Sequence, residues 1–175
     1  MWSQIALIAA IQFVLFICTF ALQFRAQKKG ERQIVTDAAL LYGVPSDEAM
    51  DAVNADPLKF NAAMLERYDP ELWQNRVANT VEALCLIPKW IGTALSIALW
   101  ALPLAYWLDF VKVEDAIVFA WLITAYHITW FILAVLINLL VMVVTGRGVG
   151  QPARAREIML KARDEDIEAL RRREL

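Results

Sequence analysis

Histidine occurs once in this chain, at position 127, and cysteine twice, at 18 and 85. One histidine cannot ligate a haem from both sides. The two cysteines fall within or beside apolar runs, so they read as small buried hydrophobes rather than as a disulfide framework. No metal-spaced cluster, nucleophile–base pair or nucleotide motif is visible. A surplus of positive charge is also missing: 17 Lys and Arg against 19 Asp and Glu give a net charge of -2, so nothing points to nucleic acid as a partner. No carboxylate lies inside the long apolar runs, which argues against an ion-coupled transporter.

Those runs are what the chain does have. It is 59% hydrophobic, above the roughly 45–50% of soluble domains, and the excess is gathered in blocks. Ile5 to Phe24 carries no charged side chain, and Arg25, Lys28, Lys29 and Arg32 follow at once. A helix needs about 20 residues to cross a hydrocarbon core about 30 Å thick. Trp90–Leu108 forms a second run, with a start as early as Ala83, and Ala116–Thr145 a third. The last would make about 45 Å of helix, one tilted or projecting crossing rather than two. The fold class expected is therefore all-α: an integral membrane protein with three transmembrane helices, short cytoplasmic helices between the first and second, and a C-terminal cytoplasmic helix.

Lys and Arg mark the cytoplasmic ends of spans. Sixteen of the 17 lie in 25–89 or 147–173, and only Lys112 lies in the acidic link Asp109–Asp115. One orientation fits all of them, with the N-terminus outside, 25–82 inside, 109–115 outside and 146–175 inside, as in a bacterial cytoplasmic membrane. Trp2, Tyr106 and Trp107 would mark the outer boundary and Trp90 the inner one. Met1–Gln4 lacks a basic leader and no small-x-small cleavage site follows, so 1–24 reads as a retained anchor.

The inner segment has helix punctuation. Thr36-Asp37 opens a run that Gly43 closes. Ser46 can cap a helix through Val53, and Asp56-Pro57 and Asp69-Pro70 each place a capping carboxylate before proline. This predicts helices near 34–42, 46–54 and 57–67, then one from Pro70, interrupted by Pro88 so that Trp90 onward turns into the bilayer. Leu58, Ala62 and Leu65 share a face, as do Leu40, Leu41 and Val44. The segment is too small for a core of its own and should pack on the emerging helix ends or on a partner. Gly146–Gly150 follows a helix and lacks the lysine of a phosphate loop, so it reads as a hinge or helix stop. Pro152 then opens a charged helix with Glu157–Lys161 and Glu168–Arg172 pairs. Its apolar stripe, Ile158, Met159, Ala162, Ile167 and Leu170, is incomplete.

Two groups of residues are candidates for chemistry. Thr124, His127, Asn138 and Thr145 fall within roughly 60° on the third span, at about 100° per residue. They could line a proton or ligand path, or face spans one and two, where Gln12, Thr19 and Ser96 offer partners. Arg76, Asn79 and Glu82 lie within two turns at the start of the second helix, with Lys89 beyond them. They could hold an anionic headgroup or a thiol cofactor, or form a solvated face.

Phe24-Arg-Ala-Gln-Lys-Lys-Gly-Glu31, Val77-Ala-Asn-Thr80 with Pro88, and Ala120-Trp-Leu122 resemble the bacterial MAPEG family, membrane-associated proteins of eicosanoid and glutathione metabolism. The resemblance implies trimers that bind glutathione between protomers, with Arg76, Asn79 and Glu82 as ligand residues. The chain departs from that family in the Arg76–Asn79 spacing, a long first loop, a third span without the family's arginine and the lack of a fourth span. The layout also looks like that of YidC-type insertases and ExbB/TolQ-type motor subunits, without their motifs. The leading expectation is a non-catalytic subunit or assembly partner of a larger membrane complex, with no cofactor, in contact with lipid and with other subunits or copies of itself. A divergent glutathione-dependent membrane enzyme is the alternative, and an ion-conducting or force-transducing subunit a third class.

Overall fold

The computed structural model describes residues 2–173. Six helices follow one another, α1 (Trp2–Tyr42), α2 (Ala49–Ala55), α3 (Pro57–Arg67), α4 (Trp73–Trp107), α5 (Val113–Thr145) and α6 (Gln151–Arg173), with no strand among the described residues. α1, α4 and α5 are each long and apolar enough to cross a membrane. The protein is all-helical and membrane-embedded, with three transmembrane helices. The side chains of Trp2 and Leu170 lie outside the described residues.

Helix α1 corrects the expected break before position 34. It runs 41 residues without interruption. The stretch after Phe24 is rich in Ala, Gln, Lys, Glu and Arg, all strong helix formers, and a single Gly30 costs only about 1 kcal/mol. Gln27 donates to Glu31 (3.2 Å) and Gln33 to Asp37 (3.0 Å) one turn on. Asp37 therefore sits inside the helix and opens nothing. Gly43 ends it at φ 68°, and the amides of Gly43 and Val44 both reach the Ala39 carbonyl.

Three further boundaries move. α2 starts at Ala49, with Glu48 rather than Ser46 at its N-cap, because a turn from Pro45 to Glu48 uses the preceding residues. α3 begins where expected: Asp56 accepts from the Lys59 amide at 3.2 Å, and Pro57 follows. Asp69 instead accepts from the Glu71 amide at 2.8 Å, a tight turn that delays α4 to Trp73. α4 then passes through Pro88 and Pro103 as one helix. Proline removes a single amide donor, and long membrane helices tolerate the loss.

The chain divides into two compact units. One contains Met1–Leu22 and Glu82–Leu140, the other Gln23–Val81 and Val141–Leu175. In the first, α4 ends in a full left-handed cap. Asp109 has φ 58°, the Phe110 amide donates to the Ala105 carbonyl (2.9 Å) and the Asp109 amide to Tyr106 (3.0 Å).

The second unit holds a small core of Ala38, Ala49, Phe60, Met64 and Tyr68, joined by Val35, Val53, Ala155 and Met159. The buried face of α3 is thus Phe60–Met64–Tyr68, not Leu58–Ala62–Leu65; Ala62 is exposed, as is Leu40 on α1. Large aromatic and thioether groups bury more apolar area than alanine, so they win the inward positions. α3 packs on α6, with Asn61 donating to Asp166 (3.0 Å) and Arg156 to the Leu65 carbonyl (3.3 Å). The segment between α1 and α4 thus gains its core from the second half of α1 and from α6. On α6, Met159 faces this core and Ile158 is exposed.

Candidate functional site

In the first unit the intramembrane polar groups converge on His127. Gln12 of α1 lies 3.1 Å from Nδ1 through its amide nitrogen and 3.2 Å through its oxygen. The same Gln12 amide nitrogen donates to Thr124 Oγ1 at 3.1 Å, and Thr124 donates to the Ala120 carbonyl at 2.8 Å. On the other side of the ring, Nε2 lies 3.2 Å from the Gly92 carbonyl and 3.3 Å from Ser96 Oγ, both on α4. Ser96 donates to the Gly92 carbonyl at 2.9 Å.

These distances fit a ring that carries its proton on Nε2. The Ser96 hydroxyl already points at Gly92, and Gln12 has a second amide hydrogen free after serving Thr124. A proton on Nε2 then donates to the Gly92 carbonyl, and Nδ1 accepts from Gln12. The ring nitrogens, the two hydroxyls and the Gln12 amide nitrogen thereby find partners in a medium that offers no water. Gly92 makes room for this: a Cβ there would touch Tyr126 at 3.5 Å and the His127 ring at 4.0 Å. Tyr126 donates to the Pro88 carbonyl at 2.8 Å, a second tie between α5 and α4.

Thr124 and His127 therefore meet Gln12 and Ser96 as the sequence allows. Asn138 is half-buried in the same unit. Thr19 is exposed and donates to its own helix at Leu15 (2.8 Å). Thr145 belongs to the second unit, where its buried hydroxyl donates to the Val141 carbonyl (2.7 Å) and accepts from the Arg147 amide (3.1 Å). An open groove of about 480 Å³ between α4 and α5, lined by Leu95, Leu102, Phe119 and Ile123 among others, is wholly apolar. It offers no polar group to a substrate.

The second group of candidates divides. Arg76 and Asn79 fall in the second unit, Glu82 and Lys89 in the first. Arg76 and Lys89 are exposed and Glu82 is half-buried. Asn79 accepts from the Ala153 amide (3.2 Å), and the Ala78 carbonyl accepts from Gly150 (3.3 Å), so Asn79 satisfies an orphan donor in the first turn of α6.

Sequence reasoning missed a polar cluster in the second unit. Asp37, only 6% exposed, pairs with Arg67 of α3 at 2.5 Å. The Arg147 guanidinium stacks 5.1 Å from the centre of the Tyr68 ring. Burial pushes the Arg147 pKa down, and the like charge of Arg67 pushes it further, while Tyr68 and Asp37 act the other way. Next to them buried Asn75 donates to the Arg67 (3.0 Å) and Asp69 (2.8 Å) carbonyls, and its own carbonyl oxygen is unpaired among the described residues. The signal that could have found the cluster is the four-residue spacing of Lys29, Gln33 and Asp37 on one face of α1. Cys18 and Cys85 are both free thiols, and no group of three metal-ligating side chains occurs among the described residues. No protein-family model, no curated protein and no solved structure matches this chain.

Proposed function

We propose that this protein is a non-catalytic subunit or assembly partner of a larger complex in a bacterial cytoplasmic membrane, with its N-terminus outside and its C-terminus inside. The observation that carries this reading is the environment of His127. Both ring nitrogens are occupied by groups on two other spans, so the one histidine fastens α1, α4 and α5 together instead of facing a passage or a substrate. A side chain held this way is a packing device. Asn79 supports the same reading, because its carbonyl oxygen is used to hold the start of α6.

Purification of the intact protein in mild detergent tests it. Co-purification of unrelated membrane subunits in fixed ratio is the expected result. A stable homotrimer that binds glutathione, and loses it on Arg76→Ala, would overturn it in favour of the MAPEG-like enzyme. For the orientation, a cysteine placed at position 112 should react with an impermeant maleimide on intact cells, and one at 60 or 165 should not.

A further inference from the structure

Beyond the end of α5, the second unit brings two guanidinium groups near one carboxylate. Arg147 stands two residues beyond Thr145, the last residue of a membrane-spanning helix. Its guanidinium lies 5.1 Å from the centre of the Tyr68 ring, which is only 7% exposed. Its five N–H donors meet no side-chain acceptor among the described residues; the bonds at this residue are made by its backbone. Arg67 is within electrostatic reach, and its partner Asp37 already accepts from Gln33 as well. Two guanidinium groups thus face one carboxylate, and that one is committed.

An incompletely paired guanidinium held over an aromatic ring suits a tetrahedral oxyanion, which can take two parallel N–H bonds. We infer that Arg147, backed by Arg67, forms a binding site for a phosphate oxyanion. The oxyanion is supplied by an anionic lipid headgroup or by a free phosphate. The site is independent of the assembly role and stands or falls separately.

The full-length protein in mild detergent provides the test, by native mass spectrometry for retained phosphatidylglycerol and by ³¹P NMR line broadening of added inorganic phosphate. Loss of two charge-assisted bonds should lower anion retention by at least about tenfold in Arg147→Gln. Arg147→Lys, which keeps the charge and loses the fork, should fall between. Arg172→Gln, which removes an exposed cation on α6, should change nothing. Phosphatidylglycerol retention that follows this order identifies a headgroup site. Phosphate broadening in that order, without lipid retention, identifies a soluble phosphate site. Equal retention by wild type and Arg147→Gln, or equal losses in Arg147→Gln and Arg172→Gln, would overturn the inference. Should Arg147→Gln lose helicity by circular dichroism, Arg147→Lys decides alone, and binding equal to wild type in that variant overturns it.

Discussion

Replacing His127 by leucine keeps most of the side-chain volume and removes every hydrogen bond the ring makes. Two neighbouring helices lose a partner, α1 at Gln12 and α4 at Gly92 and Ser96. Interhelical hydrogen bonds in membranes contribute about 0.6 kcal/mol on average and about 1.7 kcal/mol at most. Two such ties lost, with the Gly92 carbonyl keeping Ser96 and the Gln12 amide keeping Thr124, give a destabilisation of roughly 1–3 kcal/mol. Equilibrium unfolding in mixed micelles, with the SDS fraction as denaturant, would measure it, and Trp121 and Trp130 on α5 are natural fluorescence reporters. A double-mutant cycle with Gln12→Leu isolates the α1 tie and should return a coupling of about 0.6–1.7 kcal/mol. Ser96→Ala should cost less, because that hydroxyl spends its hydrogen on its own helix at 2.9 Å and stands 3.3 Å from the ring. Unfolding of His127→Leu at the wild-type SDS fraction, together with zero coupling to Gln12, would refute the idea that this histidine fastens three spans.

Asp109 holds a left-handed conformation that glycine adopts without cost, so Asp109→Gly should stabilise by up to about 1 kcal/mol in the same assay. Gly146→Ala should destabilise by roughly 1 kcal/mol through backbone strain alone, since the added methyl meets no neighbour, and Gly146→Asn should recover part of the loss. Asp37→Ala removes the partner of Arg67 and the acceptor of Gln33 and should cost about 1–3 kcal/mol in stability of the second unit, read by hydrogen exchange in α3. Tyr42 lies outside the membrane spans, and its phenol donates to the Asp56 carbonyl at 2.5 Å. Burial first, and then the Asp56 charge, raise its pKa above the ordinary phenol value, partly offset by a hydrogen bond to the Phe60 backbone. The unfolded chain therefore gives up this proton first. The stabilisation is complete below about pH 10 and is lost as pH rises through the higher native value. Tyr42→Phe should remove that alkaline loss, and a phenolate absorbance titration that ionises at the ordinary value would contradict the assignment.

Much of the architecture was legible in local pattern. Uncharged runs such as Ile5–Phe24 have a length that only a bilayer explains, and Gly43, Gly146 and Asp56-Pro57 mark helix ends through their own backbone preferences. The polar stripe Thr124–His127 was visible from helical periodicity, as was the pool of partners containing Gln12 and Ser96. The boundary errors have local causes. Capping residues compete with the turns around them, so Ser46 and Asp69 lost to neighbouring hydrogen bonds, and helix formers between Arg25 and Val35 carried α1 past the membrane boundary where charge alone suggested a stop.

The sequence by itself determined which segments are helical and which of them lipid can surround, because backbone preference and hydropathy act over a few neighbouring residues. Tertiary structure alone decided that Phe60 and not Leu58 enters the core, that Gln12 reaches His127 across 115 positions, and that Arg147 lies on Tyr68 within reach of Arg67. Those outcomes depend on which helix faces meet, and that is settled by packing volume and polar satisfaction between residues far apart in the chain.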